Sequence, residues 1–130
     1  MHYSFDWGII FRHPYSDWMI TGVKITLFLF CITSILSLFL GIALAVMRQS
    51  RIVILRWLGG MYVETVRNIP GLFWLLFFYF AFPQILPFGW GAALNANADY
   101  PIIAGLIALT INNSAYVSDI VRAGLRALPV

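Results

Sequence analysis

Thr110 to Arg126 reads TINNSAYVSDIVRAGLR, and this stretch decides what kind of molecule the chain is. An apolar run, Ile102 to Ile111, leads into it. Then Asn112, Asn113 and Ser114 arrive together, with Tyr116, Ser118, Asp119, Arg122 and Arg126 behind them. Facing lipid, these groups would lack partners, and a charge at the bilayer centre costs roughly 2.5–3.5 kcal/mol even on the lenient insertion scale. A helix here must turn its polar face to protein or to a water-filled path.

The composition around this stretch is that of a membrane protein. Of 130 residues, 62% are hydrophobic and 10% charged, with a mean hydropathy of +0.88. Soluble domains hold about 45–50% apolar residues. Two or three membrane spans fit, and a large soluble domain does not. The eight Lys and Arg sit at the ends of apolar runs and form no stripe for nucleic acid. Cys31 is the single cysteine, so no intrachain disulfide is available. The opening MHYSFDWGII lacks the basic start of a signal peptide.

Taken in order, residues 1–22 read as an interfacial segment. Trp7, Tyr15 and Trp18 interleave there with Asp6, Arg12 and Asp17, and Pro14 and Gly22 part the segment from the first span. The remainder, 23–130, holds three predicted spans at about 23–48, 52–82 and 102–128. Ile25 through Met47 carries no charge and reaches about 34 Å as a helix, against a hydrocarbon core of about 30 Å. Thr26, Cys31, Thr33, Ser34 and Ser37 within it are small and mildly polar, and with Gly41, Ala43 and Ala45 they suit close helix packing. The second span is less simple. Gly71 to Phe82 is purely apolar but short. Upstream, Trp57 to Ile69 carries Glu64, Arg67 and Asn68. One long helix of about 46 Å, kinked at Pro70, accounts for both pieces, with Pro83 and Pro87 ending it. Residues 83–101 then form an aqueous loop whose one acid is Asp99, and Pro101 suits the first turn of the third helix.

Orientation comes from the arginines. Segments 48–67 and 122–130 hold Arg48, Arg51, Arg56, Arg67, Arg122 and Arg126, whereas 1–24 and 83–101 hold only Arg12 and Lys24. The positive-inside rule puts the N-terminus outside and the C-terminus in the cytosol. If Ile102 marks the outer boundary, Asn112 lies about 15 Å in, near the midplane, and Asp119 about 25 Å in. Counting back from Phe82 puts Glu64 and Arg67 at about the level of Asp119 and Arg122. Asn112, Tyr116 and Asp119 share a helical face. An acid–base contact between the second and third helices is therefore predicted. Arg67 and Arg122 have a plainer reading as side chains snorkelling to the interface, which short acids do poorly. Asn112 and Asn113 admit interhelical hydrogen bonding as readily as a solute path.

Enzyme chemistry has little to stand on. His2 and His13 lie outside the spans, no cluster has metal-ligand spacing, and the membrane serines have no base nearby. No catalytic residue, metal or cofactor is assigned.

Two stretches resemble permease subunits of bacterial ABC importers for polar amino acids: YVETVRNIP, Tyr62 to Pro70, and SAYVSDIVRAGLRALP, Ser114 to Pro129. The FDW at Phe5–Trp7 and the Gly22 to Thr26 entry are similar but weaker. The resemblance implies an all-α integral membrane protein carrying the N-terminal part of a type I permease fold. It implies a dimer with a second permease subunit, identical or not. The other implied partners are cytosolic ATPase subunits, an extracytoplasmic amino-acid-binding protein and the bilayer of the bacterial inner membrane. On this reading Asn112, Asn113, Ser114 and Tyr116 line the translocation path. Glu64, Arg67, Asp119 and Arg122 form a charge network at its cytosolic end, and Pro70 kinks the second helix. Asp119 stands where the family usually has Glu, and Gly71 where Leu is usual. The family runs on from Leu-Pro into a helix that docks on the ATPase and then two further spans, so this chain is expected to be a truncated permease. The competing reading is a small three-helix membrane protein that binds other helices and transports nothing.

Overall fold

The computed structural model describes residues 7–127. The ends of the sequence, 1–6 and 128–130, lie outside the described residues, and with them Phe5 and Asp6 of the FDW motif and Leu128 of the third predicted span. A short 3-10 helix, Trp7–Phe11, precedes the first long helix, α1, Tyr15–Gln49. Helix α1 begins directly after Pro14 and runs through Gly22 unbroken. A glycine in a helix interior costs only about 1 kcal/mol, and Thr26 ties its hydroxyl to the Gly22 carbonyl at 2.8 Å. Residues 15–22 are thus the first turns of a span-length helix, and the predicted break at Gly22 is absent.

Helix α2, Val53–Asn68, comes after a tight corner and stops at Ile69. Helix α3, Gly71–Leu76, passes through a π-helical turn, Phe77–Ala81, into α4, Phe82–Ile85. The two segments Val53–Asn68 and Gly71–Ile85 meet at 97°. The single long helix with a kink is therefore corrected to two helices set nearly at right angles. Its cause is local. A residue before proline is pushed out of the helical region, and Ile69 is extended at φ −102°, ψ 126°. Pro70 is extended too, at φ −56°, ψ 139°. Two extended residues in succession redirect a chain where the loss of one hydrogen bond would only bend it. Pro83 does not end the helix either; it lies just past the π turn, and α4 continues to Ile85. The predicted loop contains one more short helix, α5, Trp90–Asn95. Last comes α6, Tyr100–Ala127, with Pro101 in its first turn.

Helices α1 and α6 are each long and apolar enough to cross a membrane, and the bent pair α2 with α3–α4 makes a third crossing if it counts as one. The burial pattern fits lipid as solvent. Phe28, Phe30, Ile35 and Phe39 of α1 are exposed, while Thr33, Ser37, Gly41 and Ala45 are buried. Those four recur every fourth residue, so they form one narrow stripe. Facing it, α6 buries Ala104, Gly105, Ala108, Ser114, Ala115 and Ser118. Small residues on both helices let the backbones approach closely. At Gly41 a Cβ would stand 2.5 Å from Val117 Cγ1 and 3.0 Å from the Ser114 carbonyl, so only glycine fits. The hydroxyls in the stripe are satisfied locally: Thr33 donates to Leu29 at 2.6 Å and Ser37 to Ser34 at 3.2 Å. This is a packing role, as their small size predicts; of the eight residues named in the sequence, Thr33, Ser37, Gly41 and Ala45 are the buried ones. A second cluster, Leu44, Val63, Val66 and Ala115, joins α1, α2 and α6.

Candidate functional site

The polar stretch of α6 carries two sites at different levels, and the chain meets each with a different element. At the lower one stands Asp119. Arg48, the last basic residue of α1, donates from Nη1 to Asp119 Oδ1 at 2.6 Å and reaches Ser118 Oγ at 3.4 Å. Arg67, near the end of α2, donates to the other carboxylate oxygen, Oδ2. One acid thus pins three helices. The side chains of Arg48, Asp119 and Arg67 are 11%, 30% and 49% exposed, so the Arg48 contact is the sheltered one. Arg67 also lies over the Tyr116 ring, 5.8 Å from its centre, a cation–π contact that holds the guanidinium in place.

The predicted four-charge network is only half assembled. The structure brings Arg67 to Asp119. Glu64 is exposed and joins no ion pair among the described residues. Arg122 makes no ion pair there either, and its Nε is buried without a hydrogen-bond partner. Depth counting treats the second helix as straight. The 97° break after Asn68 removes that premise, but it leaves Glu64 and Arg67 on the same helix and does not part them; Arg67 turns to Asp119, whereas Glu64 lies on the face of α2 that carries Arg56 and Gly60. Arg48 is a site residue that sequence reasoning misses. It reads in sequence as a charge that merely ends an apolar run, yet it stands at the depth of Asp119 once α1 and α6 run side by side.

The upper level lies at the break. Asn112 packs against Gly71: a Cβ there would be 3.2 Å from Asn112 Nδ2 and 3.4 Å from Oδ1. Asn112 Oδ1 is buried without a hydrogen-bond partner, as are Thr110 Oγ1 and Trp74 Nε1. Trp74 leads the ring array of α3, stacking on Phe78 at 6.3 Å. Ser114 is fully buried, and its hydroxyl is engaged by the Ile111 carbonyl at 2.8 Å and by Tyr62 at 3.1 Å. In this chain it therefore joins α6 to α2 and faces no open path. Asn113 is exposed and, with Ser34, Ser37, Leu38, Tyr116 and Val117, lines a groove of about 390 Å³ along α1 and α6. Adjacent residues on a helix point about 100° apart, so Asn112 and Asn113 serve different surfaces. Tyr62 is the second residue missed; its motif is visible in the sequence, but nothing there gives its ring hydroxyl a role. At the far end, Tyr100 donates to the Phe78 carbonyl in the π turn, anchoring α3–α4 along α6.

No family model matches the chain, but individual proteins do. The glutamate/aspartate import permease protein GltK of Escherichia coli is 32% identical over 97% of this chain and 54% of its own length. The probable glutamine ABC transporter permease protein GlnP of Bacillus subtilis is 36% identical over 82% of this chain and 44% of its own length. The arginine transport system permease protein ArtQ of Bacillus subtilis is 32% identical over 88% and 48%. Among solved structures, an amino acid ABC transporter crystallised with histidines superposes with a TM-score of 0.79 at 28% identity, covering 98% of this chain and 54% of that one. The chain spans about half the length of the curated relatives it matches. By sequence and fold together, it is a homologue of the permease subunits of amino-acid ABC transporters.

Proposed function

We propose that the chain contributes to the translocation path of an ATP-driven importer of polar amino acids in the bacterial inner membrane. On this reading there are three crossings, by α1, by α2 with α3–α4, and by α6, and the arginine distribution supports an N-terminus outside and a C-terminus in the cytosol. Asn112 meets the solute at the broken helix, Asn113 and Tyr116 line a separate groove along α1 and α6, and Ser114 holds Tyr62. The Asp119 contacts with Arg48 and Arg67 close the cytosolic end, and Glu64 and Arg122 flank it. A second permease subunit completes the path. ATP hydrolysis belongs to separate cytosolic subunits, and an extracytoplasmic binding protein delivers the solute.

One observation carries this reading: a buried asparagine oxygen without a partner, set against a glycine at a broken helix. Transporters place their solute sites where interrupted helices leave polar groups to contact cargo, and alternating access then moves the flanking helices about that point. A protein built only to bind other helices needs no such group, and the homology to permeases does not favour that alternative. The test is amino-acid uptake by a reconstituted transporter complex containing the chain, with Asn112→Leu and Asp119→Leu. Both variants should lose uptake. If both assemble and transport as before, neither residue belongs to the path.

A further inference from the structure

We infer that the corner between α1 and α2 binds an anionic phospholipid of the cytosolic leaflet, through Arg51, Arg56 and the apolar wall beside them. Of the basic residues in this segment, Arg48 is engaged by Asp119. Arg51 and Arg56 are exposed and join no ion pair among the described residues. No acid separates them in sequence. Around them Ile52, Val53, Ile54 and Trp57 are 57%, 64%, 68% and 61% exposed. Two guanidiniums, Arg51 on the corner and Arg56 on the first turn of α2, bracketing that much open hydrocarbon suit neither plain water nor plain lipid. They suit the boundary, where a phosphate can meet the arginines and an acyl chain the side chains between them.

The shape of α2 agrees. A groove of about 340 Å³ is lined by Val53, Arg56, Trp57, Gly60, Met61 and Glu64. Val53, Trp57 and Met61 succeed one another at four-residue steps and make an apolar wall. Arg56, Gly60 and Glu64 make the parallel row, and beyond Gly60 there is open space: a Cβ there would meet nothing within 4 Å. The groove is cationic near the corner and acidic at Glu64, two turns away. A ligand anionic along its whole length would be repelled at the far end. A molecule with its negative charge at one end and hydrocarbon behind fits throughout, which selects an amphiphile over a free anion. The corner lies at the end of α1, beside the arginine that holds Asp119. Its assignment to the cytosolic leaflet rests on the orientation proposed above; the preference for anionic lipid does not.

The experiment uses the full chain reconstituted into bilayers of phosphatidylcholine with a minor fraction of phosphatidylglycerol. Lipids retained after gentle extraction are quantified by mass spectrometry. Wild type should retain phosphatidylglycerol well above its bulk fraction. Each arginine removed should lower that enrichment about fivefold at low ionic strength, so Arg51→Gln/Arg56→Gln should abolish it. Lys24→Gln, the same charge loss in the first half of α1, should leave it intact, and Gly60→Trp should reduce it by filling the groove. The inference is overturned if wild type shows no preference, if the double variant matches wild type, or if Lys24→Gln lowers enrichment equally. Labelling of Gly60→Cys in a Cys31→Ala background, from each side of sealed vesicles, reads the leaflet separately. Labelling from the outside alone would overturn the orientation and leave the lipid preference standing.

Discussion

Asp119 and Asn112 lie two turns apart on α6, and their surroundings are opposite. Asp119 is saturated: Arg48 and Arg67 take one oxygen each, and Ser118 lends a hydroxyl to Arg48. Asn112 packs against Gly71 with a buried oxygen that finds no hydrogen-bond partner among the described residues, and Thr110 and Trp74 share that condition. A saturated polar group holds helices together, and removing it leaves its partners' charges uncompensated. An unsatisfied buried group contributes nothing to stability and is a cost of about 1–3 kcal/mol. Side by side on one helix, the two levels separate what holds this protein's shape from what is kept despite it.

The contrast can be broken by measurement. The largest effect should come from Asp119→Leu, which strands two guanidiniums at once. It should destabilise the chain in detergent unfolding by about 2–4 kcal/mol, somewhat below a fully buried pair because the site is partly open. No loss would mean that the contact forms without holding anything. Next, Arg48→Gln should cost about 1–3 kcal/mol, and Arg67→Gln, half exposed, less than about 1 kcal/mol. The reverse order would put the anchor on α2 and not on α1. Tyr62→Phe, which deletes the hydroxyl shared by Ser114 and Ile111, should cost about 1 kcal/mol. The smallest effect, and one of different sign, belongs to Asn112→Leu. Its unfolding free energy should be unchanged or up to about 1 kcal/mol higher, since an unpaired polar group is replaced by an apolar one. Asn112→Leu behaving like Asp119→Leu in unfolding would erase the distinction between the levels.

Particular residues show how far the sequence could be read. The uncharged stretch from Ile25 to Met47 and the polar content of 110–126 point to membrane helices, because length and hydropathy are properties of the chain itself. Helices α1 and α6 occupy those places. An acid–base contact between the second and third helices was legible too, because each carries opposite charges toward one end; which residues meet was not, since the depth count ran through a helix that is broken at 97°. Nor was Arg48. Its role depends on α1 lying alongside α6, and no spacing within one helix states which other helix is its neighbour. Ser114 illustrates the same limit. Its composition suggests a path, but burial against α2 gives its hydroxyl to Tyr62. Pro70 announced a disturbance, and its magnitude escaped because it needed both Ile69 and Pro70 in the extended region at once.

The sequence by itself determined where hydrocarbon can surround this chain, where charge must stop, and roughly how the polar side chains of α6 are spaced in depth. Those depend on one-dimensional quantities: a rise of about 1.5 Å per residue and the cost of putting a charge in lipid. Only the tertiary structure decided the pairing of Asp119 with Arg48, the burial of Ser114 and the isolation of Asn112 beside Gly71. Each of these depends on which faces meet when three helices pack. Packing is settled by contacts such as Gly41 against Val117, between residues far apart in the chain.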